Sequence, residues 1–288
     1  MDRQDHIRER NAEVFRTMPD AVYTGPVPGA KRLLPAVVRA VVAVAAILAV
    51  PLAIYFFHDI NTPDQAQTAV TTAERTFWVN DGVKGTIVLP DSTEVMLNSG
   101  SRLTLADGFS PANREVTLSG EAYFRVRADK SNPFYIRTDK GVSVKVTGTE
   151  FNLCCYPMQK DLRLSLVKGS VDLVSGNKLL CSMTEGRQVS VADGKVMDEK
   201  AADVVSTAWT SGNLMFEDTP MTEVLQRLER WYGVEITVTD QRVYASSFTG
   251  DFNSESIQQV LELLRITSNI DYQYIDNKVT LSPYGNAR

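Results

Sequence analysis

The chain has 288 residues, of which 43% are hydrophobic and 23% charged, and its formal net charge is −5. This length allows one or two domains, and the composition excludes wholesale disorder, a collagen-like fibre and a disulfide-dense miniprotein. The two histidines are His6 and His58. Residues 59–288 therefore carry neither a Ser-His-Asp triad nor a zinc site of the H-E-x-x-H type.

The N-terminal tail, residues 1–33, contains a short amphipathic pattern. Four apolar side chains fall on one face of a projected helix: Ile7, Val14, Phe15 and Met18. A helix this short is marginally stable alone, so we expect it to become ordered when it binds a partner. The alternatives are a solvated tail and a helix lying on the membrane surface.

Residues 34–57 are predicted to form a single transmembrane helix. The segment Ala40–Phe57 contains no charged or amide side chain, and at about 1.5 Å per residue it spans roughly 27 Å, close to the thickness of the bilayer's hydrocarbon core. A cleavable signal peptide is disfavoured because a long tail precedes the apolar run and no small-x-small site follows it. A core helix with so long an unbroken apolar run is rarer still.

The residues flanking this span predict its orientation. Basic residues lie on its N-terminal side: Lys31, Arg32 and Arg39. His58 and Asp59 begin the other side. Because positive charge is retained in the cytoplasm, we expect a cytoplasmic tail and an exterior C-terminal part. That exterior part has an excess of acidic residues, which argues against direct nucleic-acid binding.

Residues 58–76 are polar and rich in Thr and Ala, which is typical of a tether. After them, short alternating segments separated by turn residues predict an all-β domain over 77–205, either a sandwich, a barrel or stacked sheets. The clearest strand is Glu115–Val126, in which apolar and polar residues alternate over the whole length.

Residues 208–288 are predicted to form a small α+β domain of duplicated βαβ units. A shift of 36 positions aligns Phe216 with Phe252 and Leu228 with Leu264. Each copy is interpreted as strand, helix and strand, and a further strand follows the second copy.

The predicted helices of the two copies span Pro220–Tyr232 and Glu255–Thr267, with Thr219 and Ser254 as their N-cap residues. Trp231 and Tyr232 lie in the apolar stripe of the first helix, which favours core packing. Part of a docking surface is the alternative, since aromatic residues are enriched at the centres of interfaces.

The three cysteines are too few and wrongly spaced for a zinc knuckle. Cys154 and Cys155 are adjacent, so on a strand they point to opposite faces and at most one faces a core. Idle or buried thiols are the simplest interpretation, and a disulfide from Cys181 to one of the pair is the alternative. No metal-ligand spacing or phosphate-binding loop is present in the sequence, so no metal or cofactor is expected.

Several segments together resemble the FecR-type anti-sigma family, named for the ferric-citrate sensor, and the resemblance covers about 76–288. The segments are Val88–Asn98, Arg114–Phe124, Asn132–Phe134, Val146–Asn152, Gly212–Phe216, Leu228–Ile236 and Phe248–Gly250. The residues that carry the motifs are Leu89, Pro90, Asp91, Gly120, Glu121, Phe124, Pro133, Phe134, Gly148, Thr149, Phe151, Trp231 and Tyr232. Ser92 and Thr147 depart from the family pattern, which often has glycine and an aliphatic residue there.

The resemblance implies a single-pass protein of the inner (cytoplasmic) membrane with a cytoplasmic N-terminus. Its periplasmic part would be an all-β FecR-type domain followed by the signalling-type C-terminal domain. It implies two partners, an extracytoplasmic-function (ECF) sigma factor in the cytoplasm and the signalling domain of an outer-membrane TonB-dependent transporter in the periplasm. The apolar face of the tail, described above, would contact the sigma factor. Enzymatic activity is not implied.

One alternative from a different functional class is an envelope-anchored enzyme, such as a carboxylate-dependent glycan hydrolase, or a structural scaffold. Asp91 and Glu121 are the candidate carboxylate pair for hydrolysis. Asp91 lies in a turn signal and Glu121 on the polar face of a strand, which favours structural roles for both.

Overall fold

The computed structural model describes residues 75–285. The predicted tail (1–33), the predicted span (34–57) and almost all of the predicted tether (58–76) lie outside these residues. Within residues 75–285, no helix is both long and apolar enough to cross a membrane.

The described residues form eighteen strands, two α-helices and two short 3-10 helices, at Ala208–Ser211 and Gln241–Ala245. The strands of the first domain are β1 Thr76–Trp78, β2 Gly85–Val88, β3 Glu94–Leu97, β4 Arg102–Leu105, β5 Arg114–Arg125, β6 Phe134–Thr138, β7 Ser143–Val146, β8 Glu150–Cys155, β9 Leu162–Lys168, β10 Ser170–Ser175, β11 Lys178–Thr184, β12 Arg187–Ala192 and β13 Lys195–Ala201. The second domain contains β14 Leu214–Pro220, α1 Met221–Tyr232, β15 Glu235–Val238, β16 Ser247–Phe252, α2 Ile257–Ser268, β17 Ile270–Ile275 and β18 Lys278–Pro283.

The first domain consists of two sheets that share the long strand β5. The first half of β5 pairs with β4 and β6, and the first sheet has the order β11-β10-β7-β6-β5-β4-β1. The second half of β5 pairs with β3 and β8, and the second sheet has the order β2-β3-β5-β8-β9-β12-β13. The prediction of an all-β domain is confirmed, and it takes the form of two packed sheets.

Gly120 lies where β5 passes from the first sheet into the second. Ser119 pairs with Arg102 of the first sheet, whereas Gly120 pairs with Cys155 of the second. The φ angle of Gly120 is 115°, and a Cβ atom there would lie 2.4 Å from Ser101 Oγ and 2.7 Å from Ser101 Cα. Any side chain would therefore strain the strand and clash with Ser101.

The core of the first domain is a single apolar cluster to which both sheets contribute. Its largest fully buried side chains include Phe124, Phe134 and Phe151. The rings of Phe124 and Phe151 stack with centroids 5.1 Å apart, and Phe134 meets Phe124 edge-on at 6.3 Å. Burial of one such side chain contributes about 1.5–3 kcal/mol, so each of these three rings adds to the packing of the two sheets.

A buried ion pair fastens the turn after β2 to β5. Arg114 Nε donates to Asp91 Oδ2 at 2.7 Å, and both side chains are almost completely buried. The remaining Arg114 nitrogens donate to the backbone carbonyls of Asn132 and Arg127, at 2.9 and 2.7 Å. Thr93 donates to both oxygens of Asp91. The charges are thus fully hydrogen-bonded, which is the condition for burying an ion pair at low cost.

The same turn explains one departure from the family pattern. Ser92, which follows Asp91, has a φ angle of 69°, in the left-handed region. Glycine adopts this conformation without steric cost, whereas serine is strained there. The position where the family often has glycine is therefore one where the backbone favours glycine.

In the second domain, the predicted chain order of strands and helices is confirmed, but the pairing of the strands differs from that of βαβ units. The strands β14 and β16, which begin the two copies, pair with each other in a two-stranded antiparallel sheet. The strands β15 and β17 flank β18 in a second sheet, β15 parallel and β17 antiparallel to it. In each copy, the strands before and after the helix therefore belong to different sheets.

The reason for this pairing lies in the core. Phe216 from the first copy and Phe248 and Phe252 from the second form an aromatic cluster, with ring centroids 5.8 to 6.2 Å apart. The apolar faces of both helices enter the same core. Pairing like strands buries the apolar residues of both copies together, which one βαβ unit could not do alone.

The predicted N-cap residues of both helices are wrong. Thr219 is part of β14, and its hydroxyl accepts a hydrogen bond from Glu217 N, so α1 begins after Pro220. The N-cap of α2 is Ser256, not Ser254. Ser256 forms a capping box with Gln259, and this reciprocal pair satisfies two backbone donors where a lone serine satisfies one.

The buried pair predicts a large difference between two arginines of the same strand. Arg114→Met leaves Asp91 buried and unpaired, so the free energy of unfolding should fall by about 3–5 kcal/mol. Arg125→Met is the matched control, because Arg125 pairs with Glu94 at 3.5 Å on the exposed surface, where such pairs contribute about 1 kcal/mol or less. Urea-induced unfolding of the full chain measures both, and equal losses would contradict the role of the buried pair.

Candidate functional site

A cavity of about 430 Å³ lies where the two domains meet. This volume is in the range of small-molecule binding sites. The second sheet of the first domain, the segment that joins the domains and helix α1 all contribute to its walls. The polar and aromatic residues that define it are Asn98, Glu121, Asn152, Arg163, Trp209, Glu223, Arg227 and Arg230.

Glu121 is the centre of a hydrogen-bond network on the wall formed by the first domain. Asn98 Nδ2 donates to one carboxylate oxygen of Glu121 at 2.7 Å, and Asn152 Nδ2 donates to the other at 2.8 Å. Trp209 Nε1 donates to Asn152 Oδ1 at 3.1 Å. Trp209 belongs to the 3-10 helix between the domains and is buried. The network therefore ties the joining segment to the second sheet.

An ion pair crosses the junction between the domains. Arg163 Nη1 on β9 donates to Glu223 Oε1 on α1 at 2.8 Å. Burial alone would raise the pKa of Glu223, but the hydrogen bond and positive charge of Arg163 outweigh burial and hold that pKa below its ordinary value. Glu223 is therefore a carboxylate at neutral pH and a fixed partner for Arg163.

The C-terminal end of α1 adds three further contacts with the first domain. The guanidinium of Arg230 lies over the ring of Tyr156 at 4.0 Å, and Lys84 Nζ lies 3.3 Å from the centre of the Trp231 ring. Both are cation–π contacts, which gain strength where water is excluded. The amide of Gly82 donates to the carbonyl of Arg230 at 2.7 Å. One helix of the second domain is thus attached along its length to the first.

The two aromatic residues at the end of α1 have different surroundings. Trp231 is partly buried against the core of the second domain and also contacts Lys84 across the junction. Tyr232 packs against the same core, and its hydroxyl donates to the carbonyl of Glu255 within the second domain. Trp231 therefore packs in the core of the second domain and also contacts the first domain, whereas the side-chain contacts of Tyr232 lie within the second domain.

The two carboxylates of the hydrolase alternative do not share this cavity. Glu121 lines it, but Asp91 does not. The carboxylate of Asp91 is occupied by Arg114 and Thr93, as described above. A pair of carboxylates that act together on one glycosidic bond is therefore not formed by these two residues.

The other motif residues in the described part of the chain serve the first domain. Leu89, Phe124, Phe134 and Phe151 are buried in its core, and Thr149 Oγ1 donates to the carbonyl of Ser170 at 2.9 Å. Pro90 is exposed, and Pro133 is half-buried at the start of β6. The predicted sigma-factor contacts and the flanking residues Lys31, Arg32 and Arg39 lie outside the described residues.

Sequence reasoning missed most of the residues of the cavity. Asn98 and Asn152 end two of the quoted family segments. Asn98 directly follows β3, and a polar amide at the end of an apolar strand was a usable signal, whereas Asn152 lies inside β8. Arg227 and Arg230 are three residues apart on a predicted helix and therefore share a face. The pairing of Arg163 with Glu223 had no such signal, because 60 positions of sequence separate the two.

The prediction for the cysteines is confirmed in that only one of the adjacent pair faces a core. Cys155 is buried in the core of the first domain, whereas Cys154 lines the cavity, where its Sγ contacts Gln159 Oε1 at 3.2 Å. All three cysteines are free, so the alternative disulfide from Cys181 is not formed. Burial raises the pKa of Cys154, and it raises that of Cys155 to about 12, which makes both thiols poor nucleophiles.

The fold and junction define a class of protein in which an all-β domain is followed by a small α+β domain docked onto it. Comparison with known families gives two matches, to the family described as "FecR protein" over residues 75–172 and to "FecR, C-terminal" over residues 213–281. Together these cover more than half of the chain. The chain therefore belongs to the FecR family.

Two crystal structures, at 1.65 and 2.50 Å resolution, resemble the chain in sequence and fold. Each is described as a candidate anti-sigma factor from Parabacteroides distasonis ATCC 8503. The identity is 29% in both cases, the TM-scores are 0.66 and 0.67, and the matches cover 73% and 74% of this chain and 100% of those chains. A search of curated proteins gives no match. The family and these structures support an anti-sigma, regulatory role.

The ion pair across the junction can be measured by a double-mutant cycle. With Arg163→Gln, Glu223→Gln and the double variant, we expect a coupling energy of about 0.5–3 kcal/mol at neutral pH. Because the pKa of Glu223 is lowered by folding, the coupling is fully present above pH 4.5, the ordinary value, and is lost as the pH falls through the folded-state value.

Urea unfolding followed by tryptophan fluorescence is the measurement, since Trp209 and Trp231 both lie at the junction. The exposed pair of Arg242 and Asp240 in the second domain is the control, and its coupling should be much smaller. A coupling at Arg163 and Glu223 no larger than the control would contradict a structural role for the pair.

Proposed function

We propose that this chain is a transmembrane anti-sigma factor that regulates an ECF sigma factor. The observation that carries the proposal is the combination of the FecR domain with the FecR C-terminal domain in one docked unit. The full length of the two P. distasonis chains, each described as a candidate anti-sigma factor, matches this same unit. A regulator of this kind needs binding surfaces and no catalytic group. The hydrolase alternative is weakened because Asp91 and Glu121 do not form a pair of carboxylates in one cavity.

In this proposal the chain lies in the inner membrane with its N-terminal tail in the cytoplasm. The sequence supports this through the apolar run of residues 34–57 and the basic residues that precede it. The tail then presents Val14 and Phe15, with Ile7 and Met18, as an apolar helix face to the sigma factor. Such a face is the usual way in which a short helix binds a groove on a partner.

The periplasmic partner in the proposal is the signalling domain of an outer-membrane TonB-dependent transporter. The second domain supports docking by strand addition because its sheets have free edges among the described residues. β14 is paired on one side only, with β16, and β15 and β17 are the outer strands of their sheet. Free strand edges offer backbone donors and acceptors to an incoming strand.

The tail helix predicts the effect of one substitution. Phe15→Asp should weaken binding of the full chain to its sigma factor at least about tenfold, because burying a Phe side chain contributes about 1.5–3 kcal/mol. Glu9→Gln changes the opposite face of the projected helix and should leave binding unchanged. Co-purification of the full chain with the sigma factor measures both. Unimpaired binding of Phe15→Asp would exclude this face as the contact.

The proposed regulation of a sigma factor predicts a change in gene expression. Deleting the gene should alter transcription of a transporter operon that depends on the sigma factor, and restoring the full chain should reverse the change. Transcript quantification with and without the inducing ligand is the measurement. Transcription that is the same in the deletion and parent strains under both conditions would refute the proposed function.

A further inference from the structure

The cavity between the domains contains buried polar atoms without a protein partner. Ser99 lines the cavity and is 1% exposed, and its Oγ has no hydrogen-bond partner in the part of the chain that the structure describes. Arg163 Nε is also buried there without a hydrogen bond, although Asp161 Oδ2 lies 3.2 Å away, because the geometry is unfavourable. Native proteins leave few buried polar atoms unsatisfied.

Two arginines of α1 face the same cavity without an acidic partner. Arg227 and Arg230 are three residues apart and therefore neighbours on the helix surface. Within residues 75–285, neither guanidinium has a carboxylate at salt-bridge distance or a side-chain hydrogen bond. Their close contacts are aromatic, with Arg227 4.5 Å from the ring of Phe216 and Arg230 4.0 Å from that of Tyr156.

Partial burial makes this arrangement costly for Arg227. Desolvation lowers the pKa of its guanidinium, and the more distant charges of Glu121 and Glu223 only partly oppose this. Buried charges in proteins are normally paired. The cation is therefore in an environment that an anion would improve.

The acidic groups around the cavity already have donors of their own. Glu121 accepts hydrogen bonds from two side-chain amides, and Glu223 accepts one from Arg163, as described above. Asp203 pairs with Lys200 at 3.0 Å, and Asp218 accepts the hydroxyl of Ser247. Glu217 belongs to β14 and is exposed. Apart from the exposed Glu217, the unmatched groups on the cavity wall are thus the Ser99 hydroxyl, Arg163 Nε and the guanidiniums of Arg227 and Arg230.

We propose that this cavity binds a small organic oxyanion, a carboxylate or a phosphate ester, through Arg227 and Arg230, with Ser99 Oγ and Arg163 Nε as further donors. The planar fork of a guanidinium matches both kinds of oxyanion. The cavity volume suits a small molecule.

Both domains contribute donors, Ser99 and Arg163 from the first and Arg227 and Arg230 from the second. A bound ligand would therefore contact the two domains at once and stabilise their docked arrangement by mass action. This site does not depend on the identity of the sigma factor or of the transporter.

The test uses the full chain in a non-ionic detergent, titrated separately with inorganic phosphate and with glutarate. Binding is followed by the fluorescence of Trp209 and Trp231, which line the cavity, and by the shift of the thermal unfolding midpoint. We expect a saturable change and a higher midpoint with at least one probe. A response to phosphate alone, to glutarate alone or to both identifies the oxyanion that the site accepts.

The variants decide whether the response comes from this cavity. Arg227→Gln should weaken the binding of the responding probe at least tenfold, and Arg227→Lys, which keeps the charge but loses the fork, should weaken it several-fold. Arg242→Gln, at an exposed arginine of the same domain, should leave the affinity unchanged.

If Arg227→Gln does not fold, Arg227→Lys and Ser99→Ala provide the comparison, and each should weaken binding while retaining the thermal unfolding transition. The absence of a saturable response to both probes overturns the proposal. Equal affinity in the parent chain and in the folded variants at Arg227 or Ser99 overturns it as well.

Discussion

The structure depends on one strand that serves two sheets. β5 can do this only because the backbone turns at Gly120, where the close approach of Ser101 leaves no room for a side chain. The turn brings the next residue, Glu121, into the second sheet, where it faces Cys154 of β8 and accepts the amides that organise one wall of the cavity. The constraint that joins the sheets is therefore also the constraint that positions a central group of the site.

The junction between the domains is polar, and this has a consequence for how firmly it holds. The contacts across it are an ion pair, two cation–π contacts and a backbone hydrogen bond, each of modest strength in partly solvated surroundings. Domains joined in this way can separate at a small free-energy cost compared with domains that share an apolar core. A regulator that must respond to a partner benefits from such a junction, because modest binding energy is then enough to change it.

Much of the fold could be predicted from the sequence. Strict alternation along residues 115–126 and the turn residues between strands predicted the all-β domain, and a helical stripe predicted α1, because both patterns are local. The strand pairing of the second domain could not be predicted in this way, because β15 pairs with β18 through residues as far apart as Glu235 and Lys278. The N-cap of α2 was missed because Ser254 and Ser256 both suit the position and only Ser256 has Gln259 three residues later.

The site was less predictable than the fold for the same physical reason. Both Asp91 and Glu121 stood out in the sequence, but their roles depend on their partners. A buried arginine neutralises Asp91, whereas Glu121 accepts hydrogen bonds from two amides and lines the cavity. Arg227 and Arg230 look like ordinary surface residues of an amphipathic helix until the first domain covers them. The surroundings of such residues are set by contacts between the domains. A sequence pattern within one domain cannot predict these contacts.

The last strand of the described residues, β18, has a consequence for synthesis. β18 lies between β15 and β17 and completes the sheet of the second domain, so residues near position 280 must be available before that sheet can close. During translation the first domain can fold while the ribosome is still adding the second. In contrast, β15 cannot pair with β18 until about forty further residues have been synthesised. A chain truncated before β18 would lack the only strand with which β15 and β17 pair, so this sheet could not form.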